Sequence, residues 1–207
     1  MKRVDRIHRG ARARAGLDPP PARGMTIIEL MVGIAVLGVL VSLLIAPAIG
    51  GMVARHRVQG VHSELLGDLQ LARSEQAQRN GTSTSVSIAF SSNADLTCYT
   101  IHTVPSPPAP ATPCDCTRAP HQACAAVPGA QEIKTMQFER TVGVSVAASS
   151  PGGARITFDP PQGLATPNNL VIDVQSATRG QLRTSVSGLG VPTVCSPDGS
   201  IPGVRTC

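Results

Sequence analysis

Arg23-Gly24-Met25-Thr26-Ile27-Ile28-Glu29-Leu30, with the uncharged run that continues to Ala54, decides how this 207-residue chain is built. A basic stretch stops at a glycine, and Glu29 is the only charge between Met25 and Ala54. An apolar run of this kind predicts a helix that spans the hydrocarbon core of a bilayer, which takes about 20 residues. It is too long for the apolar part of a secretory signal, and no clear A-x-A cut follows it. Pro47 and Gly50-Gly51 predict a kink or local loosening toward its far end. An acid inside such a segment costs a few kcal/mol even on lenient insertion scales, so Glu29 calls for a partner or a function. The competing reading is an ordinary signal-anchor with Glu29 at the membrane interface.

Outward from that run, the charge is unevenly placed. Residues 1–24 hold Lys2, Arg3, Arg6, Arg9, Arg12, Arg14 and Arg23 against Asp5 and Asp18, a net of +5, and the rest of the chain has 11 basic and 11 acidic residues. The basic balance therefore belongs to the N-terminal stretch and carries no argument for nucleic acid. The arginine excess, with Pro19-Pro20-Pro21 and no apolar face, predicts a leader that stays cytoplasmic and sends the rest of the chain across. Phe90, Tyr99, Phe138 and Phe158 are all the aromatic residues, so the core rests on Val, Ile, Leu and Ala.

Beyond Pro47, Val58, Val61, Leu65, Leu69 and Ala72 recur at spacings of three and four, the stripe of an amphipathic helix. Arg55, Arg57, Glu64, Asp68, Arg73, Glu75 and Arg79 take the other positions, and Asn80-Gly81 predicts the stop. One helix from about 26 to 79 would be about 80 Å long. From Thr82 the pattern turns to period two. Val86, Ile88 and Phe90 alternate with Ser85, Ser87 and Ala89; further strands are expected at 96–103, 133–138, 142–146, 155–158, 170–174 and 182–186. The expected class is α+β: a long N-terminal helix, one half transmembrane and the other amphipathic, packed on an antiparallel β domain.

Cys98, Cys114, Cys116, Cys124, Cys195 and Cys207 all follow the anchor, an even count that predicts disulfides in an oxidising compartment. Residues 104–130 hold seven prolines and Cys114-Asp115-Cys116, a loop long enough to need a function or staples. Cys114, Cys116, His121 and Cys124 could instead hold a metal, but C-x-C is not the usual zinc spacing, and no metal or cofactor is expected. Cys114 and Cys116 are too close to pair with each other. Two arrangements stay open: Cys98–Cys114 with Cys116–Cys124, or Cys98–Cys116 with Cys114–Cys124. Cys195 and Cys207 bracket turn-rich segments without regular structure and are expected to pair, tethering the C-terminal tail.

Gly24-Met25-Thr26-Ile27-Ile28-Glu29-Leu30 resembles the type IV prepilin signature, with Met25 where that family usually has Phe. The resemblance implies that a prepilin peptidase cuts after Gly24, that Met25 becomes the N-methylated N-terminus, and that Glu29, with Thr26, serves assembly. In such filaments the acid neutralises the N-terminal amine of a neighbouring subunit as helices pack along the filament axis. Leu65-Leu66-Gly67-Asp68-Leu69-Gln70-Leu71-Ala72-Arg73-Ser74-Glu75 is similar to the helix end of minor pilins and pseudopilins of the GspH/FimT type. Phe158-Asp159-Pro160-Pro161-Gln162-Gly163 and Ser185-Val186-Ser187-Gly188-Leu189-Gly190 also resemble segments of that family, in which a terminal disulfide loop is common.

The chain then divides into a cleaved leader (1–24), a transmembrane helix half (25–54), an amphipathic half (55–80) and a β-rich domain (81–207), the last with the loop 104–130 and the Cys195–Cys207 loop. The resemblance implies a single-pass protein of the bacterial inner membrane with its β domain in the periplasm, built into a type IV pilus or a type II secretion pseudopilus. Prepilin peptidase and other pilins would be its partners.

No catalytic residue is expected, since the sequence holds no G-x-S-x-G, P-loop or H-E-x-x-H. His56 and His62 are expected to be solvated, His102 to end a strand, and Asp159 and Asp173 to be turn and surface residues. The rival function is DNA binding for uptake, which some relatives attribute to a G-R-x-R run. Gly190-Val191-Pro192-Thr193 stands there without either arginine, and Arg179, Arg183 and Arg205 are scattered.

Overall fold

The computed structural model describes residues 24–79, 84–105, 114–160 and 163–207, with the side chains of 44–48 outside the description. The leader and the helix stop at Asn80-Gly81 lie outside the described residues. The chain separates into two compact units, Met1–Leu44 and Ile45–Cys207. A single helix, α1, is assigned over Ile27–Gln78, as its two periodicities predict.

In the first unit every described side chain is exposed, Ile27 to 80% and Leu43 to 70%. Among the described residues no helix is long and apolar enough to cross a membrane. The fully described part of the apolar run ends after 17 residues, Ile27 to Leu43, where a bilayer core takes about 20. The kink expected at Pro47 falls among the residues whose side chains lie outside the description.

In the second unit the helix turns one stripe inward. Val58, Leu65, Leu69 and Ala72 are buried and Val61 is partly buried, the faces the i, i+3, i+4 spacing selects. They meet nine described strands: β1 (Thr84–Ser92), β2 (Leu96–Pro105), β3 (Gln131–Glu139), β4 (Val144–Ser149), β5 (Arg155–Asp159), β6 (Leu164–Thr166), β7 (Asn169–Ser176), β8 (Gln181–Ser187) and β9 (Pro192–Cys195). These form an antiparallel five-stranded sheet, β3-β2-β1-β5-β6, and an antiparallel four-stranded sheet, β4-β7-β8-β9. One core joins both sheets to the helix, with Ile88, Tyr99 and Phe158 from the first and Leu170, Ile172 and Leu182 from the second. The α+β expectation holds.

Four details depart from the sequence reading. Strands β6 and β9 are additional; each is three or four residues long, too short for an alternation to register. Val142 closes a 3-10 turn, Arg140–Val142, that ends at Gly143 with φ 76°, and β4 begins only at Val144. His62 is buried rather than solvated, and Asp68 is buried although it stands off the apolar stripe. Strand β2 is buried on both faces: Tyr99 and Ile101 face the core, whereas Cys98, Thr100 and His102 alternate with them and are equally hidden. His102 thus lies inside a strand, buried, instead of at its end.

Candidate functional site

The backbone at Gly24–Thr26 is not helical, and the helix begins at Ile27, so Thr26 stands at the N-cap. Its Oγ1 accepts from the Glu29 backbone N–H at 3.3 Å, and its carbonyl accepts from Leu30 N–H at 3.1 Å. A hydroxyl in this place satisfies one of the four donors that a helix start leaves open, and the acid three residues on suits the positive end of the helix dipole. Thr26-x-x-Glu29 is the spacing of a capping box, a role the sequence reading missed although the spacing alone carries it. Among the described residues the Glu29 carboxylate has no hydrogen bond or ion pair within the chain, and its neighbours Ile28 and Leu30 are 69% and 53% exposed. Glu29 therefore stands as the lone acid in the exposed apolar stretch of α1 from Ile27 to Leu43.

The second unit closes on itself by contrast. Tyr99 Oη donates to Asp68 Oδ2 at 2.7 Å, and Lys134 Nζ bridges Asp68 Oδ1 at 2.8 Å and Glu64 Oε1 at 3.2 Å, joining helix to sheet. Burial, reinforced by the Asp68 carboxylate, pushes the Tyr99 phenol far above its ordinary range. Partial burial works against the Lys134 ammonium, but the bonds to Asp68 and Glu64 outweigh it and raise its pKa. His62 bonds Thr184 Oγ1 at 2.8 Å across the core, and desolvation lowers its pKa. Arg57 Nη1 donates to Val142 O at 2.9 Å. These polar ties explain why His62 and Asp68 are inside.

The cysteines pair as Cys98–Cys116, Cys114–Cys124 and Cys195–Cys207, with no free thiol among them. The first holds the loop against the outer face of β2, and Gln137 Nε2 donates to Cys116 O and Arg118 O at 2.7 Å each. Burial works to raise the pKa of Glu132, but its carboxylate accepts from Thr135 Oγ1, His121 N and Ala123 N and is held below the usual range. His121 is exposed with φ 67°. It is absent from the one group of three metal-type ligands among the described residues, which is His102, Cys114 and Cys124. In the last loop Ser196 N–H donates to Arg205 O at 2.8 Å, and Ile201, 1% exposed, plugs into the main core.

Of the arginines weighed for a phosphate track, Arg183 makes a bidentate pair with Asp173, at 2.8 and 2.9 Å, and Arg179 and Arg205 are exposed. Asp159 accepts from Thr166 Oγ1 at 2.8 Å. Gly190 has φ 70°, and a Cβ there would meet Phe158 Cε1 at 3.2 Å, so close packing explains this glycine.

Comparison with known proteins gives two family matches. The model described as "Type II transport protein GspH" matches residues 63–190, and that described as "Prokaryotic N-terminal methylation motif" matches residues 20–54. No curated protein and no solved structure matches the chain.

Proposed function

Since the chain belongs to the GspH family and opens with a prokaryotic N-terminal methylation motif, we propose that it works as a minor pilin or pseudopilin that enters its filament through Met25–Leu43. Membership in that family supports type II secretion or type IV pili as its setting and a structural role there. On this reading prepilin peptidase cuts between Gly24 and Met25, Met25 is then N-methylated, and the apolar run holds the subunit in the inner membrane until assembly. The β domain faces the periplasm, where its disulfides form.

The observation that carries the reading is the exposed apolar stretch of helix directly behind Gly24, Ile27 to Leu43, with Glu29 as its only charge and no partner for that charge among the described residues. Contiguous apolar surface on this scale marks a membrane or protein contact. In a filament interior Glu29 and the new Met25 amine of a neighbour would form a buried ion pair, costly to break and able to fix subunit register. The capping bond from Thr26 holds Glu29 in the first helical turn, close to the end the cut creates.

Mass spectrometry of the protein from a host with prepilin peptidase tests the cut. The expected N-terminus is N-methylated Met25, and Gly24→Val leaves the leader attached. A mature chain that starts anywhere else overturns the proposal.

A further inference from the structure

The Cys-rich loop holds a feature that filament assembly does not use. His102 is completely buried in β2, and its Nε2 has no hydrogen-bond partner among the described residues. A buried polar atom of this kind is costly to leave unpaired and calls for an explanation. A ligand nitrogen of His102 and the sulfurs of Cys114 and Cys124 lie within 4.8 Å of one another. Both cysteines are buried, beside Val127 and Ala130. The second ring nitrogen, Nδ1, is 3.4 Å from Thr100 O, so Nδ1–H donating there leaves the Nε2 lone pair free. That is the arrangement metal-binding histidines adopt, one nitrogen on the ion and the other held by a carbonyl.

We propose that His102, Cys114 and Cys124 form a thiol-gated metal site that takes a thiophilic divalent ion of the Zn²⁺ class once the Cys114–Cys124 bond is reduced. A small dithiol supplies two electrons and two protons and leaves as its own disulfide. The two thiols give their protons to solvent as metal–sulfur bonds form. Two thiolates and one imidazole are a known zinc donor set, with a fourth position open.

The loop does not depend on the opened bond for its place. Cys98–Cys116 still fastens it to β2, Asp115 N–H donates to Ala123 O at 2.8 Å, and Glu132 still receives the His121 and Ala123 N–H groups. Cys114 and Cys124 therefore stay opposite one another after reduction. Sequence spacing suggested His121 as the imidazole; the strand supplies His102 instead.

The test uses the full chain in detergent, reduced with limiting dithiol until alkylation maps thiols to Cys114 and Cys124 and none to Cys98 and Cys116. It is then desalted under argon and titrated with ZnCl₂, with Cd²⁺ as a probe of thiolate ligation by its ultraviolet charge-transfer band. Reduced protein is expected to take one Zn²⁺ per chain and oxidised protein none. His102→Gln, which keeps every cysteine, is expected to weaken binding by at least about 100-fold, because losing a direct ligand costs no less than losing an outer-sphere partner, which costs about 10–100-fold. Cys195→Ser/Cys207→Ser leaves binding unchanged. Absence of Zn²⁺ uptake after reduction overturns the proposal, as does uptake insensitive to His102→Gln, which would mean that cysteines alone capture the ion.

Discussion

Leu30, Ile34 and Leu37 in the first unit and Val58, Leu65 and Leu69 in the second belong to one helix, yet the first three are more than half exposed and the others at most 3% exposed. The second unit satisfies its own surface: two sheets cover the stripe, Asp68 has Tyr99 and Lys134, and three disulfides close the loops. In the first, the described side chains stay exposed, and the Glu29 carboxylate has no hydrogen bond or ion pair among the described residues. On the proposed function, these side chains and the Glu29 carboxylate meet a bilayer or other subunits. Folding energy would then reside in one unit and assembly energy in the other, and substitutions can separate them.

The largest stability effect is expected at Phe158, which is buried under Gly190. Phe158→Ala should lower the unfolding free energy of the second unit by about 3–5 kcal/mol. The control is Leu37→Ala, which should move the same denaturant midpoint hardly at all; equal losses from both would erase the distinction between the units. Next comes the terminal loop. Cys195→Ser/Cys207→Ser should cost about 2–4 kcal/mol, because the released tail also loosens Ile201 from the core. An unchanged melting temperature would mean that Ile201 alone holds the tail.

The smallest effect is a pH dependence from His62. Burial keeps its imidazole neutral and lowers its pKa, whereas the unfolded chain takes up a proton near the ordinary value of about 6.5. The unfolded state then binds more protons, so stability is full above that value and falls as pH drops below it, by at most about 1.4 kcal/mol per unit. Urea titrations between pH 7.5 and 5.5 read this slope, and His62→Gln should reduce it, leaving the part that comes from His102, whose burial also lowers its pKa. A wild-type profile already flat there would place the charged imidazole inside without cost.

The fold was legible where apolar residues keep a strict period. The 3.6-residue stripe from Val58 to Ala72 and the alternation in β1 and β2 rest on residues the structure buries. Polar insiders escaped because hydrophobic periodicity counts only apolar side chains: Asp68 and His62 are inside because Tyr99, Lys134 and Thr184 meet them from strands far along the chain. The outer face of β2 escaped for a related reason, since Thr100 and His102 look solvent-facing until the disulfide loop is laid over them. Spacing left the cysteine pairing open, because Cys114 and Cys116 both lie within reach of Cys98 and Cys124. At the helix start the motif was plain, but the capping geometry of Thr26 was read only as part of a signature.

The most direct test of the division between the units is incorporation of Glu29→Ala into filaments, followed with wild-type and Glu29→Gln chains expressed beside the other subunits. Glu29→Ala is expected to be cut after Gly24, to stay in the membrane fraction and to unfold at the wild-type denaturant concentration, yet to be missing from sheared filaments. Glu29→Gln, which keeps the shape and loses the charge, should be missing as well. Wild-type amounts of either variant in the filaments would show that the Glu29 charge has no part in assembly.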